Sequence, residues 1–371
     1  MRIAVPLESA AGEHRVALTP DSAARLVKAG HEVRIQAGAG TRAGFPDSAY
    51  EAVGASIADS GSLYTDVTLV CRVQPPSPAE VAKLPSGVTL LSLLTPGRNT
   101  HLLPLLAARN VTALALELVP RITRAQSMDV LSSQSTVAGY KAVLVGASAL
   151  PKFLPMLTTA AGNVSPARVF VIGAGVAGLQ AIATARRLGG VVSAFDVRPA
   201  AREQVQSLGA TFIAAELAAA GAETSGGYAR AQSEDEAQRT RAALAAHLRE
   251  VDLVIATAQI PGRPAPRLIT ADMVTSMRSG AVIVDLAAES GGNCELTRAG
   301  ENVRSGTVTI LGPVDLPATV PYHASQMFGK NVLALVTHMS RDGALSLDPA
   351  DEITGVMTVV RDGNVVVPSS T

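Results

Sequence analysis

The chain has no tryptophan, only 3% aromatic residues and two cysteines among its 371 residues, and its charges cancel, 31 Lys+Arg against 31 Asp+Glu. Each scarcity excludes something. Without net charge there is no electrostatic footprint for nucleic acid or for an acidic membrane surface. Cys71 and Cys294 lie far apart, and with no signal peptide at the start of the sequence they read as reduced cytosolic thiols. Cys71 closes the apolar run 67–71 and reads as a core thiol. No metal-ligand spacing joins the cysteines to the six histidines. The Leu- and Ala-rich stretches are broken by Gly, Pro or charge before they reach spanning length, so no membrane span is expected. What remains is an apolar chain, 47% hydrophobic, long enough for two domains with substantial cores.

The most informative stretch is Arg168-Val169-Phe170-Val171-Ile172 followed by Gly173-Ala174-Gly175-Val176-Ala177-Gly178. The first five residues read as a strand buried on both faces, and the Ala-rich pattern from Leu179 to Leu188 reads as a helix ending at Gly189-Gly190. The glycines serve a tight turn, close backbone approach to a pyrophosphate, and close helix–strand packing, with the anion on free N–H groups at the helix start. A second apolar run, 191–195, ends on Asp196, roughly 20 residues on, where a carboxylate can hold a ribose 2′-OH. An acid there repels a 2′-phosphate, so NAD(H) is expected over NADP(H); Arg198 is expected to stack near the adenine edge. The candidate cofactor set here is Gly173, Gly175, Val176, Gly178, Asp196, Val197 and Arg198, joined by Thr257, Ala258 and Gln259 after the strand pattern 251–256.

Strand and helix signals alternate from the start: strands at 2–7, 31–36, 67–71, 88–94 and 111–116, and a helix at 21–29 with Thr19 or Asp21 as its cap. Pro75-Pro76-Ser77-Pro78 reads as a stiff surface loop. Residues 121–134 are polar and lack strand periodicity; a long helix then runs to about Leu150. Gln126 and Asp129, three apart, share one face if that stretch is helical. Further strands are expected at 251–256 and 281–286, a surface helix at 214–221, a second long helix from about Ser325 to His338, and a closing hairpin at 356–360 and 365–367 around Asp362-Gly363. The fold class is therefore α/β, with two Rossmann-like doubly wound lobes joined by long helices and a nucleotide cleft between them. Their expected bounds are 1–133 with 325–371 for the first lobe and 134–324 for the NAD(H)-binding lobe.

The stretch Pro120-Arg121-Ile122-Thr123-Arg124-Ala125-Gln126-Ser127-Met128-Asp129 closely resembles the soluble NAD(H)-binding component of proton-translocating NAD(P) transhydrogenases. Matching segments are the glycine turn, Gly226-Gly227-Tyr228-Ala229, Ile260-Pro261-Gly262-Arg263-Pro264-Ala265-Pro266, and Asp285 through Cys294, so the likeness runs from Glu13 to about Lys330. The resemblance implies that Arg121, Gln126, Asp129 and Ser132 surround the nicotinamide ring and its carboxamide. It implies that a mobile loop carrying Gly227 and Tyr228 closes on NAD(H). It also implies a homodimer working with a membrane-embedded subunit and an NADP(H)-binding subunit, peripheral on the inner face of the bacterial cytoplasmic membrane. In that family a hydride passes directly between two nicotinamides, coupled to proton movement across the membrane.

The residue chemistry agrees with that implication. A dehydrogenase acting on an amino acid moves a proton as well as a hydride and needs a positioned acid or base. Transfer between two nicotinamides needs orientation and fixed polar contacts instead. The competing resemblance is to alanine dehydrogenases, which share the opening from Glu13 through Arg15 to Pro20. Their Lys-Val-Lys-Glu-Pro segment reads here Arg72-Val73-Gln74-Pro75-Pro76, replacing the substrate-binding lysine by Gln74. No histidine stands near Leu94-Thr95-Pro96, where that family carries its catalytic one, and Arg15 is left as a structural residue or a remnant.

Overall fold

The computed structural model describes residues 1–213, 233–260 and 263–366. The chain divides into two compact units, Met1–Gln134 with Pro317–Thr371, and Ser135–Leu316.

In the first unit an eight-stranded sheet has the order Asn364–Val365, Thr358–Arg361, Thr112–Ala115, Thr89–Ser92, Leu69–Cys71, Arg2–Val5, Glu32–Gln36, Ser56–Ala58. The six strands before residue 116 are parallel. From the first strand the chain winds outward through Glu32–Gln36, then returns to Leu69–Cys71 on the other side, which makes the doubly wound switch. Val5, Cys71, Leu91 and Leu114 lie in one fully buried cluster, and Ala4, Val70, Leu90 and Ala113 in another. Strands covered on both faces need no alternation of polar and apolar residues, hence the near-continuous apolar runs. Thr19 caps the helix Pro20–Lys28 only through its backbone, with Pro20 at the first position.

Three expectations change here. Ser77 caps a one-turn helix, Pro78–Val81, in a reciprocal box with Glu80, so the proline segment is not merely a loop. The second long helix spans Pro321–His338, because Pro321 supplies the favoured first helical residue. Val356 belongs to the short helix Thr354–Met357, whose start is held by the Asp351 carboxylate on the N–H groups of Ile353 and Thr354. The closing strand therefore begins at Thr358 and turns through Asp362 and Gly363, both at positive φ, as a tight hairpin requires.

The second unit holds a seven-stranded sheet in the order Thr211–Phe212, Val191–Phe195, Arg168–Ile172, Leu253–Ala256, Val282–Asp285, Val308–Leu311, Asn302–Ser305, with only the last strand antiparallel. Its switch lies between Ile172 and Ala256: the chain leaves Arg168–Ile172 toward one edge and resumes at Leu253–Ala256 beside it. The carboxyl ends of those two neighbours are where an open parallel sheet offers a ligand crevice. The helix Val130–Ala149 carries the chain from the first unit into the second. The expected helix at 214–221 lies outside the described residues.

Candidate dinucleotide site

Gly173, at φ +93, turns the chain off the end of Arg168–Ile172, and Gly175 caps the helix Val176–Arg187. The three glycines differ in what a side chain would meet. A Cβ on Gly173 would lie 2.7 Å from Thr257 Oγ1, and one on Gly178 would lie 1.8 Å from the Gly173 carbonyl oxygen. Those two glycines are required by the fold. A Cβ on Gly175 would meet nothing within 4 Å, and Gly175 and Val176 are exposed at the helix start. Nothing internal explains Gly175; an anion resting against its backbone at the positive end of the helix does.

Asp196, directly after Val191–Phe195, is brought to this turn: its Oδ2 accepts from Ala174 N at 2.7 Å. Arg198 does not reach outward. Its Nε and Nη2 close on Asp196 at 3.0 and 2.9 Å, and its backbone N–H donates to the same carboxylate at 2.8 Å. A fork donor two residues from a carboxylate closes a short ring, and this two-point pair is stronger than a solvated cation. Val197 is half-buried against the cluster containing Phe170, Ile172 and Phe195.

Beside the turn, Thr257 Oγ1 donates to the Gly173 carbonyl at 2.9 Å, locking the two strand ends together at the switch. Ala258 is gripped at both backbone groups by Asn293, whose Oδ1 accepts from Ala258 N at 3.0 Å and whose Nδ2 donates to Ala258 O at 2.8 Å. Asn293 is fully buried and also donates to Pro266 O. Its neighbour Asp285 takes Cys294 N and Thr297 Oγ1, so the two strand-end loops form one hydrogen-bonded block. Gln259 is exposed and donates to the Leu286 carbonyl at 3.0 Å. Asn293 was not among the sequence candidates; a polar residue after two glycines carries no signal for a contact 35 positions away.

In the first unit, residues 121–134 are not one helix. A 3-10 helix spans Thr123–Met128, Asp129 is extended at φ −73 and ψ 92, and the long helix begins at Val130. Gln126 and Asp129 therefore do not share a helix face. The cause is capping: Asp129 accepts from Ser132 N at 2.9 Å and Ser132 Oγ at 2.5 Å, taking up an otherwise free donor of the next helix. Arg121 and Gln126 are exposed, Asp129 and Ser132 half-buried. Gly227 and Tyr228, with Pro261 and Gly262, lie outside the described residues.

The switch of the first sheet is filled by the chain's own charges. Glu8 accepts from Val73 N at 2.6 Å and sits 3.5 Å from Arg72, which also pairs with Glu80 at 2.9 Å. Glu13 grips Arg15 at 2.8 and 2.5 Å, Gln74 Nε2 donates to Glu13 at 2.9 Å, and Arg15 Nη1 donates to Gln134 at 3.0 Å. Burial pushes the Glu8 carboxyl up to about 7 against the pull of Arg72, whereas Arg15 holds Glu13 below the usual carboxylate range despite burial. Cys71, in the core below, has its thiol pushed up to about 12 by burial alone. Among the described residues no group of His, Cys, Asp or Glu could hold a metal ion, and no helix is long and apolar enough to cross a membrane.

Two doubly wound units, one carrying an open glycine turn at its switch, define the class as an α/β dinucleotide-binding protein. The chain belongs to the alanine dehydrogenase/PNT family: its N-terminal domain model matches residues 4–138 and its C-terminal domain model residues 142–368. It is 46% identical to the first portion of NAD(P) transhydrogenase subunit alpha of Rhodospirillum rubrum, a separate chain there, covering 100% of this chain and 99% of that one. It is 34% identical to an alanine dehydrogenase of Halomonas elongata over 92% of this chain and 88% of the relative. A solved transhydrogenase structure from Sinorhizobium meliloti superposes with a TM-score of 0.88 at 41% identity, with both chains fully covered.

Proposed function

We propose that this chain is the NAD(H)-binding component of a proton-translocating transhydrogenase. In this reading NADH, when bound, supplies a hydride that passes directly to NADP+ on a separate component, and a membrane-embedded partner couples the transfer to proton movement. The observation that carries the reading is Gly175: open space and an exposed helix start at the switch, where the fold itself does not require a glycine. The backbone around Gly175 would hold the pyrophosphate and Asp196 the adenosine ribose, with Thr257 and Ala258 on the neighbouring strand end. Arg121, Gln126, Asp129 and Ser132 would supply the polar contacts that orient the ring. Among these four no imidazole or free amine is present, which suits a transfer that moves no proton at the ring.

The alanine dehydrogenase reading is disfavoured by the first switch. Arg15 is engaged with Glu13 and Gln134, and Gln74 stands tied to Glu13 where that family carries a lysine. Purified chain mixed with NADH, pyruvate and ammonium is expected to bind NADH without oxidising it; rapid oxidation would overturn the proposal. We further propose a homodimer, peripheral on the inner face of the cytoplasmic membrane through its partners. Phe153 and Met156 are 59% and 65% exposed near the hairpin Leu157–Thr159/Gly162–Val164, a surface suited to a second copy. A sedimentation mass of one chain would remove the dimer.

A further inference from the structure

The long helix Pro321–His338 carries one buried polar residue in its middle that the site so far leaves unused. Asn331 is 7% exposed, and its two side-chain ends meet two different turns of the 121–134 stretch. Nδ2 donates to the Ser127 carbonyl at 2.8 Å, at the end of the 3-10 helix. Oδ1 accepts from Ser133 Oγ at 2.7 Å, in the first turn of the helix that follows. The amide's orientation is forced, because a backbone carbonyl can only accept, so the amino end must face Ser127 and the oxygen Ser133. Between those two anchor points lie Met128, the extended Asp129 and the capped Ser132, with Gln126 directly before them.

We infer that Asn331 is the positioning residue that fixes the break at Asp129 and, through it, the placing of Gln126, Asp129 and Ser132. The inference rests on the reading above that these side chains orient the nicotinamide. A 3-10 turn followed by a single extended residue has few internal hydrogen bonds to hold it, and Asp129 closes only the far side. The Asn331 amide spans the break and ties both flanks to a third element. Asn in a helix interior is a poor helix former, and burying its amide is costly unless both ends are satisfied, as they are here. Leucine of similar size would fill the space without either bond.

The test uses the full chain, an NADP(H)-binding transhydrogenase component loaded with NADP+, and NADH as the donor. Single-turnover hydride transfer is timed, and NADH affinity is read separately by fluorescence. Asn331→Ala is expected to slow transfer about 10-fold or more, since displacement of orienting groups by about 1 Å costs that much or more, while the NADH dissociation constant stays within about twofold. Asn331→Asp, equal in size, is expected to be as slow, because a carboxylate oxygen then faces the Ser127 carbonyl. Should Asn331→Ala lose its fold, Ser133→Ala removes one end of the clamp and is expected to give a smaller loss in the same direction. Wild-type transfer in a folded variant, or equal losses of rate and affinity, overturns the inference. Gln126→Ala separates the two levels: if it is slow while Asn331→Ala is not, only the Asn331 role fails; if Gln126→Ala is also at wild-type rate, the reading of the site fails with it.

Discussion

Replacing Gly175 by alanine separates the demands of the fold from those of a ligand. The backbone there, at φ −74 and ψ −168, is extended conformation open to any residue, and the added methyl would meet no atom within 4 Å. Folding alone thus has no objection, and by narrowing the unfolded ensemble the change should raise stability by about 0.4–1 kcal/mol. The same methyl would stand where a pyrophosphate must approach the helix start, so NADH affinity should fall about 10- to 100-fold, or about 1.4–2.7 kcal/mol. Gly178→Ala gives the contrast. Its methyl would lie 1.8 Å from the Gly173 oxygen and 2.8 Å from that carbonyl carbon, both backbone, so the helix must move. Overpacking of this kind costs about 1–3 kcal/mol. Thermal unfolding reads stability for both variants and NADH fluorescence titration reads binding. A folded Gly175→Ala chain that binds NADH like the wild type would refute the assignment of this turn.

Other consequences concern charge. Asp196→Ala removes the acceptor for Ala174 N and leaves the Arg198 guanidinium without its carboxylate, so NADH should bind about tenfold more weakly and NADPH relatively better; unchanged affinities for both in parallel titrations would sink the ribose assignment. Glu8 gives a pH dependence of stability. Its folded carboxyl titrates at about 7 against an ordinary 4.5, so the folded chain holds the proton more tightly and the associated stability is fully present below about 4.5 and lost as pH rises through 7. At 1.36 kcal/mol per unit the loss is at most about 3 kcal/mol, and Glu8→Gln should flatten it in denaturant melts taken from pH 5 to 8. A wild-type curve as flat as the variant's would show that Glu8 does not stay protonated.

The strand, glycine turn and Asp196 were legible because their chemistry is local. Each glycine's duty is set by neighbours in the same turn or by one adjacent strand end, and strands buried on both faces announce themselves as apolar runs. The break at Asp129 was not legible. A polar run of Arg, Thr, Gln, Ser and Asp fits a helix face as well as a 3-10 turn followed by a cap, and only the bonds from Ser132 decide. The box formed by Ser77 and Glu80 was present in the letters but hidden behind three prolines. Arg198 folded back because a carboxylate stood two residues away. Asn293 and Asn331 gave no signal at all, since their partners lie on other elements and a single asparagine has no periodicity.

Deuterium placed at C4 of NADH, on the face from which hydride leaves, tests the central claim most directly. The labelled cofactor is mixed with this chain and an NADP(H)-binding component carrying NADP+. The account predicts that the label appears in NADPH and that none enters water. Label released to solvent, or label carried to pyruvate by this chain alone, would contradict it.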